Sequence, residues 1–259
     1  MMALEQMKGN IYEAAMSSGG RRQIVLPNST MCEVCERFKV DDPDYIRLTK
    51  GHRFAVACIC AKRQEELDRA DRRRIAEANM PNDHDPHIFE AWDHGVAGTA
   101  EMFGAAHQFA RGEGHRVLVM CGGTGAGKSY LLEAIGRYSL GMGRTVRYET
   151  SKALLDQLQA TYNPENPGTF QGLMDWYQTR SVLLLDDVGA ETSTEWRISQ
   201  LTDIIEKRIQ YNRSLVVTTN LDRTEMIDRL GARIGSRLFA TNPNVPVTLV
   251  VTTAKDYRR

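Results

Sequence analysis

The sequence predicts an α/β fold, a three-layer αβα parallel sheet with helices on both faces, preceded by a small zinc-ribbon-like N-terminal module. Three observations carry that expectation. From Phe89 onward, short apolar runs alternate with stretches of helical periodicity, the pattern of strand–helix–strand units that cover a parallel sheet on both sides. The first of these runs, Arg116-Val117-Leu118-Val119-Met120, leads into a glycine-rich loop and then a helix. Four cysteines crowd between Cys32 and Cys60, while the fifth, Cys121, stands alone just before that loop.

The loop, Gly122-Gly123-Thr124-Gly125-Ala126-Gly127-Lys128-Ser129, fits G-x-x-x-x-G-K-[ST] in the context the pattern requires. Its four glycines let the backbone turn tightly and aim successive N–H groups at a phosphate, and the following helix adds its positive N-terminal end. Lys128 would reach the β- and γ-phosphates, and the Ser129 hydroxyl would ligate Mg²⁺. The motif therefore predicts nucleoside triphosphate binding.

Composition sets outer bounds. The 259 residues suffice for one ordinary domain and a smaller appendage, and a 42% hydrophobic, 25% charged composition is that of a globular protein. Basic and acidic residues number 33 each, so no global field draws the chain onto nucleic acid and any such contact must come from local patches. No apolar run approaches the ~20 residues of a membrane helix, and Met1 to Asn10 lacks a basic-then-apolar signal. A cytoplasmic location, without membrane contact, is expected, and with it reduced thiols.

In chain order, residues 1–30 are a tail in which Met2 to Met16 has roughly helical spacing of Leu4, Met7, Ile11 and Ala15. A cysteine module over 31–62 follows. Cys32-x-x-Cys35, 22 intervening residues and Cys58-x-Cys60 make two close pairs around a hairpin-like stretch, the spacing of a tetrahedral structural zinc site. So small a module has little core, and structural zinc contributes roughly 10–16 kcal/mol of apparent binding energy in such peptides. His52 is an alternative to one thiolate, and unligated or redox-active cysteines are the competing reading. Residues 63–86 read as a charged linker helix with a solvated face, ended by Met80-Pro81. His84 and His87 read as exposed loop histidines.

The remaining residues, 87–259, form the phosphate-binding domain. Helices are expected over Thr99–Arg111, with Met102, Phe103, Ala106 and Phe109 inward, and over Ser129–Tyr138, Lys152–Thr161, Phe170–Tyr177 and Thr194–Asn212. Two short helices, Arg223–Leu230 and Ala232–Phe239, follow. Strands after the first are expected at Thr145–Tyr148, from Ser181, at Leu215–Asn220 and at Val245–Thr252, and the Pro-rich stretch Asn163 to Gly168 reads as a loop. Ser181-Val182-Leu183-Leu184-Leu185-Asp186-Asp187 is an apolar strand ending in carboxylates at the edge where open α/β sheets bind ligands. Asp186 would hold Mg²⁺ through water, and Asp187 is placed to orient or deprotonate an attacking water. Asn220 ends the next apolar strand, within reach of a γ-phosphate or the water.

Five features together resemble helicase loaders of the DnaC/DnaI type within the AAA+ ATPases. They are the two cysteine pairs followed by Lys62-Arg63, the phosphate loop, Leu-Leu-Leu-Asp-Asp-Val-Gly-Ala-Glu at 183–191, Val-Thr-Thr-Asn-Leu at 217–221, and Arg-Ile-Gly-Ser-Arg-Leu at 233–238. The resemblance implies an ATPase core that self-associates with ATP between neighbours. It makes Asn220 the sensor-1 residue and Arg237, or failing that Arg233, the arginine finger of the adjacent site. Such loaders lack a helical lid, and with seven residues after Thr252 none is expected here. Asp187 stands where most AAA+ proteins carry Glu, so slow hydrolysis is expected. The implied partners are a replicative hexameric helicase and single-stranded DNA, with Lys152, Tyr162 and Phe170 as candidate DNA contacts. The cofactors are ATP, Mg²⁺ and structural Zn²⁺. An IstB-type transposase helper acting on duplex DNA shares the core. A nucleotide-gated adaptor without meaningful catalysis is the third reading.

Overall fold

A computed structural model describes residues 60–81, 85–162, 167–190, 194–240, 246–254 and 256. The chain divides into two compact units, Met1–Asp68 and Arg69–Arg259. The expected tail helix and zinc module lie outside the described residues, save Cys60, which opens helix α1 (Cys60–Glu77). No described helix is long and apolar enough to cross a membrane.

The second unit is built on a five-stranded, all-parallel sheet of order β2-β3-β4-β1-β5. Its strands are β1 (Val117–Gly122), β2 (Val146–Thr150), β3 (Val182–Asp186), β4 (Ser214–Thr219) and β5 (Val247–Thr252). Every residue of β3 and β4 is buried, as strands sandwiched between two helical layers must be. Side chains alternate between two cores. Val117, Val119 and Cys121 of β1 join one cluster, and Leu118 and Met120 join the other.

Helices α2 (Ala100–Arg111) and α3 (Lys128–Gly141) cover the Leu118 face, through Met102, Ala106, Leu132 and Ile135 among others. The opposite face carries α4 (Ser151–Thr161), α5 (Pro167–Thr179), α6 (Glu195–Gln210) and α7 (Arg223–Leu238). The expected αβα layering is thus present in this unit. Of the expected inward set, Phe103 is the least buried: it packs against this core only in part and stacks on Trp92 with ring centroids 6.0 Å apart.

Local chemistry explains the boundaries. The Thr150 hydroxyl accepts the Ala153 N–H at the start of α4, and the Thr194 hydroxyl accepts that of Arg197 at the start of α6. Asp222 and Glu225 form a reciprocal capping box at α7. The expected loop to Gly168 ends earlier, because Pro167 begins α5, where proline's missing N–H costs nothing. Helix α7 is broken at Gly231 (φ 87°, ψ 158°), matching the two short helices read from sequence.

The charged linker helix is exposed over most of 67–76, in keeping with a solvated face, but it is tied down near its end. Arg73 pairs with Glu77, but Arg74 reaches across to the carbonyls of Leu140 and Arg144 at 2.5 and 3.2 Å. Past the end of α1, the Tyr148 N–H donates to the Ala78 carbonyl at 2.8 Å, and Arg147 donates to the Glu77 carbonyl at 3.0 Å. The Tyr148 bond occupies the outer edge of β2, one of the two edge strands of the sheet.

Arg208 of α6 is fully buried, and its guanidinium donates to the carbonyls of Tyr177, Arg180 and Ser214 at 2.6, 2.8 and 2.6 Å. It thereby clamps the end of α5 to the start of β4. Desolvation pulls the group down to about 9, which still leaves it charged at neutral pH. Arg208→Ala should lower stability by about 3 kcal/mol, because three carbonyls lose a charged donor in a dry site. Urea unfolding of the variant measures this; a loss below about 1 kcal/mol would show that the clamp is dispensable.

Candidate nucleotide site

The site forms where β1, β3 and β4 end side by side. Strand β1 runs into the phosphate loop, and Gly127, at φ 85°, is the N-cap of α3. A Cβ on Gly127 would lie 2.5 Å from the Trp92 ring, and one on Gly125 would collide with the Asp256 carboxylate. Both positions therefore demand glycine for space as well as for their left-handed backbone.

Lys128, only 6% exposed, donates from Nζ to the carbonyls of Gly122 and Gly123, both at 2.8 Å, and to Asn220 Oδ1 at 2.7 Å. Its ammonium is thus held over the loop by groups from β1 and the end of β4. Asn220 passes the connection on, donating from Nδ2 to Asp187 Oδ1 at 3.1 Å. Lys128, Asn220 and Asp187, distant in sequence, form one hydrogen-bonded chain.

Asp186 is the buried carboxylate of the site. Its Oδ1 accepts the hydroxyls of Ser129, at 3.0 Å, and Thr218. Its Oδ2 accepts the Tyr148 hydroxyl at 2.6 Å. Burial first, and then the Asp186 charge, push the Tyr148 phenol well above its ordinary range, so it remains a donor. Asp187 turns out of the strand at φ 56°, and its N–H donates to the Thr218 hydroxyl at 2.9 Å. That left-handed turn places adjacent aspartates in different settings, Asp186 buried and Asp187 exposed.

The Ser129 and Asp186 oxygens already converge, and an all-oxygen donor set suits a hard cation such as Mg²⁺. No cluster of three or more His, Cys, Asp and Glu side chains capable of holding a metal exists among the described residues.

Beside the carboxylates, Asp187, Gly189, Asn220, Glu225 and Arg229 help line a cleft of about 300 Å³. Arg229 donates to the Gly189 carbonyl at 3.2 Å. The two arginine-finger candidates bind elsewhere. Arg233 pairs with Glu206 through two bonds of 2.8 and 2.6 Å, and Arg237 approaches the same carboxylate at 3.7 Å. Both side chains are at least half exposed.

Sequence reasoning missed three contributors. Thr218 lies inside the recognised Val-Thr-Thr-Asn string, whereas Tyr148 and Trp92 carry no local signal. One sequence expectation is corrected. His87 is not a plain exposed loop histidine: it bonds buried Glu133 at 2.7 Å and stacks on Tyr130 with centroids 4.2 Å apart. The loop folds back onto α3, and this could not be read from His87's polar neighbours. His84 lies outside the described residues.

A parallel sheet with a phosphate loop after β1 and two carboxylates at the end of β3, with β4 between them, defines a P-loop nucleotide-binding domain. The chain belongs to the family of IstB-like ATP-binding proteins, whose model matches residues 59–233. Replicative helicase loader DnaC of Buchnera aphidicola subsp. Schizaphis graminum is 25% identical over 147 residues, covering 56% of this chain and 60% of the relative. Chromosomal replication initiator protein DnaA of Campylobacter jejuni subsp. doylei is 31% identical over 132 residues, or 51% of this chain and 29% of that one. The chain thus spans under two thirds of these relatives. Among solved structures, a DnaC helicase loader superposes with a TM-score of 0.56 at 19% identity, covering 64% of this chain and 97% of that one. AMPPCP-bound DnaA from Aquifex aeolicus gives 0.56 at 20% identity, over 64% and 50% of the two chains.

Cys121 sits directly before the loop, and its thiol donates to the Leu221 carbonyl at 3.0 Å. Burial pushes the thiol up. A raised value means less thiolate at pH 8, so Cys121 should resist alkylation in the folded protein and react only on denaturation. Peptide mapping after iodoacetamide treatment checks this; labelling of native Cys121 as fast as a free thiol would contradict it.

Proposed function

We propose that this protein is an ATP-dependent loader of a replicative hexameric helicase, switched by ATP binding and slow hydrolysis at interfaces between its own copies. The observation that supports it most is the convergence of Lys128, Ser129, Asp186, Asp187 and Asn220, from two strand ends and one helix, on a single site at the phosphate loop. In this reading the loop N–H groups and Lys128 take the phosphates, while Ser129 and Asp186 hold Mg²⁺, which would screen phosphate charge. Asp187, steadied by Asn220, orients or deprotonates the attacking water. Arg237, with the looser hold on Glu206, is the better candidate for the finger that reaches a neighbouring copy, and Arg233 anchors Glu206.

Residues 31–62 form a zinc module that, with the 1–30 segment, grips the helicase, and 63–86 links it to the ATPase domain, 87–259. Single-stranded DNA is taken by Lys152 and an aromatic group. Tyr162 meets Phe170 and Trp196 with ring centroids 5.6 and 6.0 Å away, and Tyr162 is 55% exposed. Such a surface suits base stacking. The name of the matching family favours a second reading, an IstB-type helper that works with a transposase on duplex DNA.

Lys128→Ala should weaken ATP binding at least about tenfold and abolish any ATP-stimulated DNA binding, as read by equilibrium binding and filter retention. Wild-type turnover should stay well below ~10 s⁻¹, the typical enzyme median. Affinity capture from native cells separates the readings: a hexameric helicase supports the loader, and a transposase supports the second.

A further inference from the structure

We propose that Tyr148 is a positioning residue for the metal-binding carboxylate, and that the segment after α1 sets where it stands. The inference rests on the reading that a Mg²⁺-nucleotide occupies the site. Asp186 must offer an oxygen towards Ser129 if the two are to share a cation. Both of its oxygens are engaged: Ser129 and Thr218 donate to Oδ1, and among the described residues Tyr148 alone donates to Oδ2, at 2.6 Å. With a donor on each side the carboxylate cannot rotate without breaking a bond. Removing the Tyr148 hydroxyl frees Oδ2, so Asp186 loses its orientation while its Oδ1 partners remain.

Tyr148 is itself held from outside the site. It pairs with Leu184 of β3 on one side. On the other, its N–H donates to the Ala78 carbonyl at 2.8 Å, and its carbonyl accepts Asn79 Nδ2 at 3.1 Å. Residues 78 and 79 therefore act as a short extra edge beside β2, one residue from the end of α1. Displacing that edge would move Tyr148, and with it the donor on Asp186. The connection gives the region before the ATPase core a direct mechanical line to the metal site.

The test is binding of a fluorescent ATP analogue to the full chain, titrated with Mg²⁺ and repeated in EDTA. Tyr148→Phe keeps the ring and removes one hydroxyl. It should raise the Mg²⁺ midpoint about tenfold, as loss of an outer-shell partner does, while EDTA binding changes by no more than about twofold. A purely structural role would instead weaken both conditions together, and that result overturns the proposal. So does an unchanged midpoint in a variant whose wild type needs Mg²⁺. If wild-type binding ignores Mg²⁺ altogether, the metal-site reading falls as well. Should Tyr148→Phe fail to fold, Asn79→Ala loosens the same residue from its edge. A smaller midpoint shift in the same direction supports the proposal, and none rejects it.

Discussion

A single buried carboxylate holds the working edge of this sheet together. Asp186 is only 7% exposed, and a lone carboxylate moved out of water costs several kcal/mol. Hydroxyls from α3, β2 and β4 offset that cost, each hydrogen bond to a charged acceptor contributing about 1.5–3 kcal/mol. Because the donors come from three different elements, satisfying one charge also sets the relative positions of the elements. The phosphate loop inherits its placement from this arrangement through Ser129, the second residue of α3.

Thr218 shows how closely the two carboxylates are coupled. Its hydroxyl accepts the Asp187 N–H and donates its one proton to Asp186. A single side chain on β4 thus supports the buried carboxylate and the backbone turn that carries its exposed neighbour. That turn is left-handed at Asp187, a conformation aspartate tolerates better than most residues. The mirror arrangement on the other side of the loop is the chain from Lys128 through Asn220 to Asp187. Together they make the ends of β1, β3 and β4 one connected polar unit above two dry cores.

Much of this was legible in the sequence. The apolar runs at Val117, Val182 and Leu215 became central strands within a residue or two of expectation, since burial on both faces leaves an unbroken hydrophobic signal. The pause at Gly231 and the phosphate loop are also local chemistry, written in a few adjacent residues. Pro167 was misread as loop because proline signals both a break and a helix start. Arg208, His87 and Tyr148 left no such trace. Each acts through a partner tens of residues away, and nothing beside it in the chain reveals that partner.

The amino-acid order alone determined that the chain would build a parallel, doubly covered sheet and that Lys128, Ser129 and Asp186 would stand at one edge. Hydrophobic period and glycine spacing are properties of neighbours, and neighbours are all a sequence records. Only the tertiary structure decided which groups surround those residues. Tyr148 was brought to Asp186, Glu206 was set against both Arg233 and Arg237, and Ala78 was laid along the edge of β2. Those outcomes depend on strand order and helix packing, which bring distant residues within hydrogen-bonding reach, and a hydrogen bond is formed or lost over less than an ångström.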